Sequence, residues 1–431
     1  MESPKKSVMA CVLLIVLMYS ITSINAVRDQ SAFVDSIMKS FDLGALRPKS
    51  DGGPVNVTVG MYINSFHSVK EVNMEYSVSV YLSMRWQDIR LQHNDTEPIV
   101  FNSPEFMDVV WRPDIYFDNE KRGQYHKVTT ENRALELWPD GQIAYSLRLS
   151  LTLSCQMKLQ NFPMDEHTCS MMLLSYAYDA NNVVLHWNEG IDAVAMYPDI
   201  EMPQFTLINF KYVEEIMTYK HMKNKSCLEV FFYLKREMGY YILTNFIPSS
   251  LLVILSWVSF WLHLDATAAR VALGITTVLT TATQLTIARG SLPEVSYPTA
   301  IDVWMTSCMF FVFAALIEFA AVNYIYMYPK INKPKKMDRF EKLHNNTEEC
   351  QTAVELTAFG LRTDVVNDKN YSNTNNARDV EACQPFVKSM QSSCYAYSEI
   401  AKSIDRGARV VFPSLFIFFN ICYWSTYSYA S

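Results

Sequence analysis

Four long apolar segments fill the second half of this chain, and they constrain its fold more than any other feature. The first, residues 239–262, is continuous and of membrane-spanning length. Only His263-Leu-Asp-Ala-Thr-Ala-Ala-Arg270 separates it from the next, so these two helices are expected to be antiparallel neighbours. The second segment, 271–289, is unusually rich in threonine; the third covers 301–327 and the fourth 408–430. A polar stretch, 328–407, divides the last two and is expected to carry little regular structure. It opens with Lys330, Lys333, Lys335, Lys336 and Arg339, a basic cluster that favours the cytoplasmic side. Four spans then put the sequence before the first span and the tail after the last on the outside.

The preceding half has a different period. Met74-Glu-Tyr-Ser-Val-Ser-Val-Tyr-Leu-Ser-Met and Ile143-Ala-Tyr-Ser-Leu-Arg-Leu-Ser-Leu-Thr-Leu alternate apolar and polar residues, with Pro139-Asp140-Gly141 as a turn ahead of the second. Repeated short strands with turn signals imply a β-sandwich over residues 27–238. Ser31 to Phe41 reads as a short amphipathic helix ahead of it. Residues 1–26 carry Lys5 and Lys6, an apolar run from Val8 to about Ile21 and small residues near Ala26, the pattern of a cleaved signal peptide. Secretion would expose three glycosylation triplets, at Asn56, Asn94 and Asn224.

Half of the residues are hydrophobic and the net charge is only −7, a balance that argues against a nucleic-acid partner. No His-Glu-x-x-His, Gly-rich phosphate loop or nucleophile motif is present, so no catalytic residue, cofactor or metal is expected. Of nine cysteines, Cys11 belongs to the leader and Cys308 and Cys422 to apolar segments. Cys350, Cys383 and Cys394 fall in the polar stretch, where a reducing cytosol keeps thiols free. Cys155, Cys169 and Cys227 remain outside, an odd number.

In the second apolar segment, Ala272, Thr276, Leu279 and Thr283 recur at steps of four, three and four and share one helix face. Val271, Ile275, Val278 and Leu285 are expected on the other side. Such a stripe can line water, with a leucine ring as gate; equally, small residues can serve close helix packing. Arg270 stands at the inner end and Arg289 at the outer end, with no acidic residue expected to face either. Around a symmetry axis they would form positive rings that favour anions.

These parts resemble the Cys-loop ligand-gated ion channels. Cys155 and Cys169 bracket thirteen residues that include Phe162-Pro163-Met164-Asp165, as the family's signature loop does, and the resemblance implies a disulfide there. Asp265-Ala-Thr-Ala-Ala-Arg-Val-Ala-Leu-Gly-Ile-Thr-Thr-Val-Leu-Thr280 is similar to the pore helix of the GABA-type and glycine-type receptor channels. Trp111-Arg-Pro-Asp114, Met238-Gly-Tyr-Tyr241, Leu255-Ser-Trp-Val-Ser-Phe-Trp261, Ala300-Ile-Asp-Val-Trp304 and Phe412-Pro-Ser-Leu-Phe416 resemble further family segments.

The resemblance implies a pentamer, homomeric or with related subunits, whose β-sandwich precedes a four-helix transmembrane bundle. It implies a multi-pass plasma-membrane protein, with a postsynaptic membrane one place open to it. Chloride would be the permeant ion, since cation-selective relatives carry glutamate where this chain has Ala269; Ala269 and Arg270 would form the filter and Leu279 the gate. Phe162, Pro163, Asp165 and Arg236 match positions that couple ligand to pore, and Ser291 to Thr299 is expected to touch Phe162 and Pro163. Glu294 stands where chloride-channel relatives commonly have lysine.

By the same resemblance, a small extracellular ligand binds between subunits within a box of aromatic rings that attracts an ammonium group. Tyr116, Phe117, Tyr176, Tyr178 and Tyr219 would supply the rings, and Tyr81, Ser83, Ser146 and Arg148 the complementary face. Taken singly, each tyrosine also reads as a sandwich core residue. Ser83 replaces the arginine that grips a ligand carboxylate in relatives, and Leu174 replaces an acidic residue that meets the ammonium. Cys227 marks the end of a second disulfide in some relatives, but no partner lies near Ile216. His126 aligns with one of two zinc-binding histidines, its companion being Gln124. These departures leave open an amine-, proton- or zinc-gated channel, and an auxiliary subunit that needs a partner.

Overall fold

The structure, a computed structural model, describes residues 18, 46–48, 52–94, 96–102, 104–189, 193–218, 223–290, 292–331 and 376–428. The leader apart from Met18, the Ser31–Phe41 segment, Tyr219, Ser291, Cys350 and the basic residues Lys333 to Arg339 lie outside the described residues. The chain divides into two compact units.

Among the described residues the first unit has twelve strands: β1 (Val55–Lys70), β2 (Glu75–Gln87), β3 (Ile99–Phe101), β4 (Ile115–Phe117), β5 (Glu120–Tyr125), β6 (Arg133–Leu137), β7 (Gln142–Ser154), β8 (Glu166–Ser175), β9 (Val183–Trp187), β10 (Val194–Met196), β11 (Phe205–Met217) and β12 (Lys225–Arg236). A short helix α1 (Pro104–Val109) lies between β3 and β4. One sheet runs in the order β10-β1-β2-β7-β6-β3, with β5 on β7 and β9 on β1; the other runs β11-β12-β8-β4.

The period of two works as the pattern demands. Along β2, Tyr76, Val78, Val80, Leu82, Met84 and Trp86 are buried, while Tyr81, Ser83, Arg85 and Gln87 are exposed. Ile143 to Leu153 on β7 bury alternate residues in the same way. The sheets meet where Phe66 packs edge-on against Phe232 at 5.3 Å, and Tyr76 Oη donates across to the Ser170 carbonyl at 2.8 Å. The β6–β7 turn needs its glycine: Gly141 has φ +84°, and a Cβ there would come within 2.5 Å of the Asp88 carbonyl oxygen. Cys155 and Cys169 form the disulfide. Cys227 is buried and has no disulfide partner among the described residues. Burial pushes its thiol up to about 12, with Glu229, Glu215 and Asp118 adding to the effect.

The second unit comprises four apolar helices, α2 (Gly239–Trp261), α3 (Thr267–Gly290), α4 (Ala300–Ile331) and α5 (Asn376–Ser428), together with Leu159–Met164 from the disulfide loop. Each contains a window long and apolar enough to cross a membrane. In α2 a π-turn, Ile242–Phe246, precedes Pro248, whose ring cannot donate to the regular ladder and crowds the carbonyl one turn back. Trp304 is the anchor of the bundle: fully buried, it packs against Phe246, Phe416, Phe419, Tyr423 and Trp424, and its indole donates to Ser249 Oγ at 2.9 Å.

The last helix departs from expectation. Its backbone is helical from Asn376, so part of the stretch expected to lack regular structure is helix. The physical cause is visible between 401 and 408. Ala401, Asp405 and Ala408 recur at steps of four and three, and all three are buried, which makes one continuous inward face. Hydropathy alone misses it because Asp405 is a charge on the buried side.

Candidate functional site

The residues expected on the complementary face are brought together by register. Because β2 pairs with β7 antiparallel, Tyr81 lies opposite Arg148 and Ser83 opposite Ser146. The Arg148 guanidinium sits 5.5 Å from the Tyr81 ring centroid, and Tyr62 stands 6.3 Å beyond. Ser83 hydroxyl donates to the Gly60 carbonyl at 3.4 Å. Nearby, His126 hydrogen-bonds Ser150, which bonds Ser79, which bonds His67, a chain of four side chains across the sheet. Burial, then the charges of Arg148 and His67, lower the His126 pKa. Among the described residues no three metal-ligating side chains converge.

The aromatic candidates separate. Tyr116 and Tyr176 come together edge to face at 5.6 Å, and Tyr176 is 75% exposed. Phe117, next to Tyr116 on β4, turns into the core because neighbours on a strand face opposite sides, so it is not a wall of the box. Tyr178 lies against Trp111, whose indole donates to its hydroxyl at 3.2 Å.

A residue that sequence reasoning did not single out stands beside both rings. Lys225 Nζ lies 5.8 Å from the Tyr116 centroid and 5.5 Å from that of Tyr176. It donates to the carbonyls of Ser175 at 2.9 Å and Tyr176 at 2.5 Å. In the sequence it ends the basic run Lys220-His-Met-Lys-Asn-Lys225. Its position follows from the β12–β8 pairing, in which Cys227 lies opposite Leu174.

Asp165 and Arg236 are paired. Arg236 Nε donates to Asp165 Oδ1 at 2.7 Å and a terminal nitrogen to Oδ2 at 3.0 Å, a fork that suits planar groups. Arg236 also bonds Glu71, and its guanidinium lies 4.4 Å from the Phe205 centroid. His167 Nε2 contacts Asp165 Oδ2 at 2.5 Å. Burial alone would raise the Asp165 pKa, but hydrogen bonds with His167 and Arg236 outweigh it and hold the carboxyl below the usual range.

Within the helical unit, the loop apex is bound by backbone. Ala300 N–H donates to the Gln160 carbonyl at 2.9 Å and Ile301 N–H to that of Phe162 at 3.1 Å. Tyr297 hydroxyl accepts from Leu159 N–H at 3.1 Å, and Phe162 packs on Tyr241 at 5.0 Å. Pro163 is buried beside Phe162, whereas Glu294 is exposed.

On α3, Ala269, Ala272, Thr276, Leu279 and Thr283 are all exposed, Leu279 by 62%. The hydroxyl of Thr276 donates back to the Ala272 carbonyl at 2.8 Å and that of Thr283 to Thr280 at 2.8 Å, which makes a threonine-rich helix compatible with an apolar setting. The inward face is Arg270, Thr277, Thr281 and Ala288, with Gly274 so close to α4 that a Cβ would meet Leu316 at 2.5 Å. This corrects the expected back face: Ile275 is 55% exposed beside the stripe, and Val271, Val278 and Leu285 are partly buried flanks, as 100° per residue requires.

Both arginines also meet carboxylates, contrary to expectation. Arg270 is only 1% exposed; its guanidinium donates to Asp405 at 2.7 and 3.3 Å and to the Leu262 carbonyl at 2.5 Å. Arg289 Nε donates to Asp302 at 2.8 Å. Asp302 is in turn bound to Thr299 at the start of α4, a capping box.

With a strand-built domain, a disulfide loop and four apolar helices in this order, the comparisons with known families agree. Residues 30–238 match the neurotransmitter-gated ion-channel ligand binding domain, and residues 245–358 match the neurotransmitter-gated ion-channel transmembrane region. The chain belongs to the neurotransmitter-gated ion-channel family. It is a multi-pass membrane subunit of a ligand-gated channel, not an enzyme, and membership carries with it pentameric assembly around an ion pathway.

Proposed function

We propose that this chain is a subunit of a chloride channel opened by an extracellular ligand bound between subunits. The observation that supports it best is the inner end of α3. From Thr267 to Gly290 the helix holds no carboxylate, and the exposed residues of its first turn are Ala268 and Ala269. That end is also the helix N-terminus, where free N–H groups and the dipole favour negative charge. Five such ends around an axis make an anion filter without needing the guanidinium of Arg270 in the water path. Leu279, exposed midway along the stripe, serves as the gate by dewetting. Asp165, Arg236 and the apex residues Phe162 and Pro163 couple the ligand to the pore, their partners giving the two-state contacts that such coupling needs. The exposed Asn56, Asn94 and Asn224 serve as glycan acceptors.

Voltage-clamp recording from cells that express the chain alone, screened with GABA, glycine, glutamate, biogenic amines, zinc and a pH series, tests the reading. Current should reverse at the chloride potential, and Ala269→Glu should move reversal away from it. Reversal that tracks chloride unchanged in that variant would sink the filter assignment. Silence with surface expression would instead favour dependence on a second subunit, a reading that Ser83 and Leu174 support.

A further inference from the structure

The aromatic box on this chain already contains a cation. Lys225 is 7% exposed, yet among the described residues no carboxylate pairs with its ammonium. Two backbone carbonyls, Ser175 and Tyr176, accept from it, and two ring faces, Tyr116 and Tyr176, stand within cation–π range. A buried ammonium must be met by dipoles or rings in place of water, and here the surroundings are those that a ligand ammonium would use. The rings are fixed from behind as well: Tyr116 hydroxyl donates to Asp118 at 3.1 Å, and Asp114 holds Ser175 Oγ and Ala177 N–H, both at 2.5 Å.

We propose that Lys225 is a tethered cation that occupies the box and closes this face to ligands carrying a free ammonium or quaternary amine. It is therefore a specificity-determining residue that acts by exclusion. Two like charges cannot share one ring pair, and a ligand amine would have to displace a group whose local concentration is set by the chain itself. Leu174, next to the site on β8, fits this account: an acidic residue is not needed where no second cation arrives. The inference rests on reading Tyr116 and Tyr176 as part of the ligand face, but its test does not depend on conduction.

The experiment uses the purified full-length channel and tetramethylammonium and choline as probes, with binding followed by titration calorimetry. Wild type should show no saturable binding that Tyr176→Ala removes. Lys225→Ala should bind tetramethylammonium at least about tenfold more tightly than wild type, the order of one cation–π site, and Tyr176→Ala in that background should abolish the gain. Should Lys225→Ala fail to assemble, Lys225→Met keeps the aliphatic stem and removes the charge. Wild-type binding of either probe that depends on Tyr176 would overturn the proposal, whatever the variants do. So would an assembled Lys225 variant with no gain.

Discussion

The two arginines of α3 are the same residue type on one helix, and the structure treats them oppositely. At the inner end Arg270 turns into the bundle and is almost wholly buried against Asp405 of α5. At the outer end Arg289 is 63% exposed and reaches Asp302 across the short link to α4. The first pair is dry and hydrogen-bonded on several sides; the second is wet. Burial, not the presence of a carboxylate, decides what each pair is worth. A buried charge that loses its partner is stranded in a low dielectric, whereas an exposed one falls back on water. The inner arginine thus ties α3 to α5, whereas the outer one leaves most of its side chain exposed.

The largest effect should come from breaking the inner pair. Asp405→Ala removes the carboxylate that hydrogen-bonds the buried Arg270, at a cost of about 3–5 kcal/mol, read as lost assembly or a lower unfolding temperature of the purified channel. An unchanged thermal midpoint would show that Arg270 escapes to water and would erase the contrast. The sandwich offers a second buried pair for comparison. Asp165→Asn keeps the shape but loses the charge-assisted fork to Arg236, worth about 2 kcal/mol.

That pair also has a pH signature. The Asp165 carboxyl is held below its ordinary value of 3.8 in the folded chain, so its contribution is full above that value. It is lost as pH falls through the lower folded pKa. Wild type should therefore show an acid limb in thermal stability below about pH 4, and Asp165→Asn should flatten it. An equal limb in both would show that other carboxyls carry the acid sensitivity. The smallest effect is expected at the outer end. Asp302→Asn breaks an ion pair whose arginine is exposed while keeping a capping side chain, and should cost less than about 1 kcal/mol. A loss as large as that of Asp405→Ala would mean the outer pair is buried in the assembled channel.

Much of the architecture was legible because periodicity is local. The alternation of β2 and β7 marked a sandwich strand by strand, and apolar runs of spanning length marked four helices. The stripe from Ala272 to Thr283 was also readable, since residues three and four apart must share a face. Reading its back face as Val271 and Ile275 failed on simple geometry, because the true opposite side contains Gly274, Thr277 and Thr281. Phe117 was misread for a similar reason: it follows Tyr116 directly, and strand neighbours point apart. The start of α5 was hidden because Asp405 looked like an interruption until Arg270 was seen to face it.

By itself, then, the amino-acid order determined the two kinds of secondary structure, the disulfide loop by resemblance, and the exposed stripe of α3. These depend on spacing along one segment. Only the tertiary structure decided that Asp405 neutralises Arg270 from 135 residues away and that Lys225 reaches the paired rings of Tyr116 and Tyr176. Such pairings are long-range, set by helix packing and strand register, and a charged residue carries no local mark of the partner it will meet.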